Sequence, residues 1–408
     1  MDNGTSPIST PLSSSEQSST AKRALSNFLG YSTVALTLVM IGVFLILPMG
    51  KVMIKAFYTG EEFTLEYFRL LFENHLMVES ITNSFWVALM TTLACTILSV
   101  PLALIGSKFD FPGKSFLLGL LLVPMVMPPF VGAIGFQRFF ARHGSINLFL
   151  MENNLIDAPI DWLAEGNKFW AVVILGVMHL YPIMYLNLGA ALANVDPSLE
   201  EMATTLGVKR WRQLKDIIWP LARPGYFAGA IIVFIWALTD LGTPLLIGYH
   251  DVIPVRIFNM VTDINENPVG FALVFLVIVM TVGFFLISKR SLAGKKYDMM
   301  ARGHVTSGVR KVGFLGTLVI YGTLLSVIAF ALFPHISVLI TSLSHKWFMT
   351  PLPEHYTLEH YANVFNQELP LTGLKNSLFL ASFSTLLDVI LGCLVAYVIV
   401  RKLIPFSG

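Results

Sequence analysis

Residues 194–225 read NVDPSLEEMATTLGVKRWRQLKDIIWPLARPG, a polar stretch between two long apolar runs. Asp196 is a good helix cap, and Pro197 suits the first helical position, where no backbone N–H is needed. Glu200 and Glu201 follow in the opening turns, where acids favour the helix dipole. Leu199, Met202, Ala203 and Leu206 fall at i, i+3, i+4 and i+7, one apolar stripe. Gly207 stands where a left-handed residue would end this helix. A second short helix is expected to place Trp211, Leu214 and Ile218 on one face, with Lys209, Arg210, Arg212 and Lys215 exposed, and to stop at Pro220. Two short amphipathic helices cannot cross a bilayer. They are built to lie against it and present one side to a partner.

The flanking runs decide the fold class. Of 408 residues, 55% are hydrophobic and 13% charged, against about 25% charged in soluble domains. Runs of about 20 apolar residues are long enough to cross a hydrocarbon core of about 30 Å as helices. Eight are read, at roughly 32–50, 83–106, 115–136, 169–193, 225–248, 268–288, 314–341 and 377–400. The chain is therefore expected to be an all-α polytopic membrane protein. Pro124, Pro128 and Pro129, Pro182, and Gly242 with Pro244 interrupt spans, which a packed bundle tolerates because neighbouring helices satisfy freed backbone groups. Residues 1–29 form a polar tail, with seven Ser and three Thr in the first 20, and are expected to be disordered. Cys95 and Cys393 both lie in apolar runs and are read as buried small side chains; two cysteines are too few for a disulfide framework, and no zinc spacing occurs.

Charge orients the bundle. With a cytoplasmic N-terminus, 18 of the 27 Lys and Arg fall on the cytoplasmic side, including Lys108, Lys114, Lys209, Arg210, Arg212 and Lys215. The other side holds most of the acids, among them Glu61, Glu62, Glu66, Asp157, Asp161 and Glu165. This bias follows the positive-inside rule and puts the quoted loop in the cytoplasm. The net charge of +2 is not gathered on a basic face, so nucleic acid is not an expected partner.

The chain also repeats itself. Shifted by 293 residues, Thr64-Leu65-Glu66 meets Thr357-Leu358-Glu359, Asn83-Ser84 meets Asn376-Ser377, and Pro112 meets Pro405. Over positions 64–112, 14 of 49 residues are identical. Shared apolar composition accounts for matching Leu and Ala, but not for the polar matches in loops. One unit then holds six spans. A second begins near residue 312 and is read as truncated two spans in, leaving one and a third units of a duplex.

With these features in place, the loop resembles the coupling motif of ABC importer permeases: Glu-Ala-Ala, three residues, Gly, nine residues, Ile-x-Leu-Pro. The matching positions are Glu201, Ala203, Gly207, Ile217 and Pro220, with departures at Met202 and Trp219 that leave the spacing intact. The resemblance covers 83–290 fully and 376–408 in part. It implies a six-span ABC importer permease unit plus the first two spans of a second unit. The layout is then a first unit at 30–292 (core 83–290, coupling loop 195–222), a cytoplasmic linker at 293–311 and a partial second unit at 312–408. It implies that the loop helix, with Leu199, Met202 and Leu206 as its apolar face, docks on a separate ATP-binding subunit, expected as a dimer. ATP and magnesium would belong to that subunit and no cofactor to this chain. An extracytoplasmic solute-binding protein, and a multi-pass location in the bacterial inner membrane, follow from the same resemblance. The fused layout and Leu238-Thr-Asp-Leu-Gly-Thr-Pro244 most resemble the ferric-iron permeases. Thiamine, phosphonate and polyamine permeases are the alternatives.

Asp240, placed within span five and followed by Gly242, Thr243 and Pro244, is the candidate for the translocation path. An unpaired charge at such depth is costly, and its other reading is a cap on backbone groups freed at the break. Asp388 replaces Cys95 of the first unit, and is not a repeated feature. His179 and Tyr181 are read as packing residues. His75, His143, His250, His345, His355 and His360 match no metal-site spacing. No phosphate loop occurs, so the chain is not expected to hydrolyse ATP. No nucleophile and base, and no His-Glu-x-x-His, lie in the spans, so no catalytic residue is assigned. A secondary transporter would carry paired intramembrane charges, and would leave the loop unexplained.

Overall fold

A computed structural model describes residue 28 and residues 30–58, 62–260, 268–293 and 310–401. Lys22, Arg23 and nearly all of the expected tail, most of the expected linker, Lys402 and Pro405 lie outside the described residues. The helices are α1 (Gly30–Phe57), α2 (Glu66–Glu73), α3 (His75–Lys108), α4 (Lys114–Val126), α5 (Pro129–Phe140), α6 (Ser145–Glu152), α7 (Glu165–Ala193) and α8 (Pro197–Thr205). They continue as α9 (Arg210–Thr239), α10 (Gly242–Ile247), α11 (Ile253–Met260), α12 (Val269–Ala293), α13 (Phe314–Leu343), α14 (Glu359–Asn366) and α15 (Glu368–Arg401). Among the described residues, seven helices are long and apolar enough to cross a membrane, and α4 with α5–α6 makes an eighth if that bent pair counts as one span.

The described residues fall into two compact units, one within 28–54 together with 361–401 and one within 55–360. In the first, α1 and α15 line an apolar crevice bordered by Met40, Ile41, Leu391, Val395 and Ile399. In the second, α3, α7 and α9 pack on one another and α13 lies along α5. Lipid is as apolar as leucine, so such helices associate through close packing and hydrogen bonds, which favours small residues. The buried face of α3 accordingly carries Ser80, Ser84, Ala88, Thr91, Thr92, Cys95, Ser99 and Ala103. Where α9 crosses α7, a Cβ on Gly225 would lie 2.4 Å from the Ala191 Cβ and 2.6 Å from the Asn187 carbonyl oxygen. Only glycine permits that approach.

The prolines act differently at each site. Pro182 and Pro334 sit inside the unbroken α7 and α13. The third span does break: Met127 is extended before Pro128, as a residue preceding proline prefers, and the chain turns by 93°. Pro128 has no N–H, so the carbonyl of Pro124, four residues earlier, loses its helical partner. His179 Nδ1 lies 3.0 Å from that carbonyl, and Tyr181 donates its hydroxyl to the Leu121 carbonyl at 2.7 Å. Both come from α7, so the expected packing roles have a specific content: they satisfy the backbone of the broken span. Tyr181 is in turn held by Ser99 of α3, whose hydroxyl donates to its carbonyl at 2.9 Å.

Pro220 corrects an expectation. It does not stop a short second helix, because Arg210–Thr239 runs on as one helix through both Pro220 and Pro224. Leu214–Ile218 is a π-helical turn in which the Trp219 N–H reaches back to Leu214. This extra residue per turn re-spaces the ladder just before Pro220, whose missing N–H then falls at the start of the regular helix.

The repeat recurs in the element boundaries. Adding 293 to the limits of α2 (66–73) and α3 (75–108) gives those of α14 (359–366) and α15 (368–401). Even the entry is copied: the Thr64 hydroxyl accepts from the Glu66 N–H at 3.0 Å, and the Thr357 hydroxyl from the Glu359 N–H at 3.0 Å.

Candidate functional site

Asp196 accepts a 2.9 Å bond from the Ser198 N–H and starts α8. That bond, with a second from the Ser198 hydroxyl, holds its carboxyl below the usual carboxylate range. Gly207 has φ of +73°, and the Val208 N–H turns back to the Ala203 carbonyl at 2.9 Å. This is the left-handed ending that the sequence suggested. Gln213, buried at the start of α9, donates to the Val208 carbonyl at 2.8 Å and to the Thr204 hydroxyl at 3.1 Å. The corner between α8 and α9 is therefore braced by a side chain as well as by the backbone.

The apolar residues of this corner divide. Ala203 is buried and Leu199 half-buried, while Met202 is 56% exposed, Leu206 80% and Trp211 73%. Glu201 is exposed beside them, and Ile217 and Pro220 are half-buried where α9 begins. The structure thus brings the matched loop positions into one braced corner, with Leu199 turned inward and Met202 and Leu206 outward. Three large apolar side chains, Met202, Leu206 and Trp211, are thus uncovered around this braced corner.

A second feature lies where α9 ends. A cavity of about 230 Å³ is lined by Pro129, Gly176, His179, Leu180, Trp236, Thr239, Asp240 and Leu241. The His179 ring is nearly parallel to Trp236, with centroids 6.1 Å apart. Because a carbonyl only accepts, the contact with Pro124 assigns the proton to Nδ1 and leaves Nε2 as an acceptor. Asp240 is half-buried, and its Oδ1 accepts from the N–H groups of Gly242 at 3.1 Å and Thr243 at 3.5 Å. It therefore sits at a helix break rather than in mid-helix, and caps α10 while bordering the cavity. Thr243 and Pro244 are buried, Gly242 is half-buried, and none of the three lines the cavity. Among the described residues no three His, Cys, Asp or Glu side chains gather as a metal site.

One pairing and two residues escaped the sequence reading. Lys108 pairs with Glu200, Gln213 braces the corner, and Trp236 walls the cavity. Lys108 ends a span and Glu200 opens the loop helix, so their charges were visible, but 92 residues separate them.

Residues 97–293 match the profile of the family described as "Binding-protein-dependent transport system inner membrane component". The spermidine/putrescine transport system permease protein PotB of Escherichia coli is 31% identical over 275 residues, covering 63% of this chain and 96% of PotB. The chain belongs to that family. This permease is also 28% identical over 382 residues to the ferric transport system permease protein FbpB of Actinobacillus pleuropneumoniae, over 90% of its own length. It spans 57% and 52% of the two ferric-transport relatives it matches, a little over half of each. A bacterial ABC transporter involved in import of the acidic polysaccharide alginate has a similar fold, with TM-score 0.54 at 17% identity over 65% of this permease and 96% of that chain. A helical, multi-span permease fold is thus common ground between sequence and structure, and its relatives are transport components rather than enzymes.

Proposed function

We propose that this permease forms the solute path of an ABC importer and is driven by a separate ATP-binding subunit that docks on α8. The observation that carries this reading is the braced corner with Met202, Leu206 and Trp211 uncovered, at the positions surrounding Gly207. A groove on the ATPase would cover these side chains, and ATP and magnesium would stay in that subunit. Solute would arrive from an extracytoplasmic binding protein and pass near Asp240 and the cavity it borders. The test is co-purification. The chain should bring down an ATPase, and Gly207→Asp, which puts a charged side chain at a positive φ in the middle of the uncovered corner, should lower both the captured ATPase and uptake by about tenfold or more. Equal capture and uptake by the variant would sink the coupling role.

For the solute we propose ferric iron. The ferric-transport relatives align with 90% of this chain, whereas PotB aligns with 63%. A polyamine remains the second reading because PotB is the more identical, at 31%. Uptake of ⁵⁵Fe(III) and of ¹⁴C-spermidine, each with the binding protein encoded beside the permease, separates the two. Spermidine uptake without iron uptake would overturn the ferric assignment.

A further inference from the structure

Lys108, the last residue of α3, donates to the carboxylate of Glu200 in the first turn of α8. Both side chains are largely covered, at 22% and 15% exposure. Among the described residues this is the sole ion pair that joins the loop 195–222 to a span. The setting suits both charges: carbonyls at the end of α3 favour a cation, and N–H groups at the start of α8 favour an anion. A covered pair contributes little net stability over an apolar contact, but separating it strands a charge without its partner. The ends of α3 and α8 are therefore constrained to move together.

That constraint matters because of connectivity. The loop is joined through the backbone to α7 on one side and α9 on the other, but α3 has no such link to it. Yet α3 packs along both of those spans. The end of α15 carries Arg401 at the position that the 293-residue repeat makes equivalent to Lys108.

We propose that Lys108 and Glu200 are positioning residues that make α3 follow α8 when the loop is displaced. The inference rests on the docking of an ATPase at α8. The test uses the complete complex of permease, ATPase and binding protein in nanodiscs. Its readouts are ATPase captured per permease and the ratio of binding-protein-stimulated to basal ATP hydrolysis. Lys108→Gln and Glu200→Gln should leave capture unchanged and lower the ratio by about fivefold or more, the low end of ordinary coupling between sites. Lys108→Arg should retain the ratio, and Lys108→Glu combined with Glu200→Lys should recover at least half of it. An unchanged ratio in both Gln variants, a double exchange no better than either single change, or loss of capture together with the ratio would each overturn the proposal. An unaltered permease that captures no ATPase overturns the docking reading instead, and this pair's role with it.

Discussion

His179 shows how a single side chain can serve a backbone break. Its Nδ1 meets the Pro124 carbonyl that Pro128 leaves unpaired, so removing the donor should cost more than removing the ring. His179→Phe keeps a ring against Trp236 but strands a buried carbonyl, at about 1–3 kcal/mol. His179→Gln can still donate and should recover part of the loss. Thermal unfolding of the purified protein in detergent measures both, and a Phe variant as stable as the parent would remove the backbone role. The sequence supported packing over ligation for His179, and proline placement marked the break. The pairing itself was not legible, because it joins residues 55 apart and depends on how α7 lies against α4. Asp240 was legible as one of two alternatives. The structure finds it capping Gly242 and Thr243, as one of them required, while its edge on the cavity keeps the other in play.

Among elements, α3 and α15 form a natural control pair. They share length and register, yet the stripe that is buried on α3 is left uncovered on α15, at Ser377, Ala381, Ser384, Thr385, Asp388 and Gly392. A substitution should therefore cost energy on one helix and not on its copy. Ala88→Leu overfills a contact with Phe234 and Leu238 and should destabilise by about 1–3 kcal/mol. Ala381→Leu, at the equivalent site, should stay within about 0.5 kcal/mol. Equal effects in a thermal-shift comparison would mean that α15 is covered in the purified protein. Periodicity and the 293-residue offset made the existence of these helices readable. The fate of the second short helix was not, because a proline normally reads as a stop, and the π turn that admits Pro220 has no signature in residue types.

At the scale of the whole molecule, orientation is the expectation most directly open to measurement. α7 separates Asp157 from Lys209, so the two lie at opposite ends of one span. With both native cysteines replaced, Asp157→Cys in intact spheroplasts should react with a membrane-impermeant maleimide, and Lys209→Cys should react only after lysis. The reverse pattern would invert the topology drawn from charge. Charge counting could give a side to each loop, but not the reach of the helix that follows. α9 runs for 30 residues, about 45 Å at 1.5 Å per residue, against a hydrocarbon core of about 30 Å. Its first turns carry the uncovered Trp211, and its last residue adjoins Asp240. From Trp219 to Thr239 it is one continuous α-helix, so a push at that end would reach the cavity border as through a rod. Thrust from a partner docked at Trp211 would have to pass the π turn at Leu214–Ile218 first, the compliant spot at which part of a stroke would be absorbed.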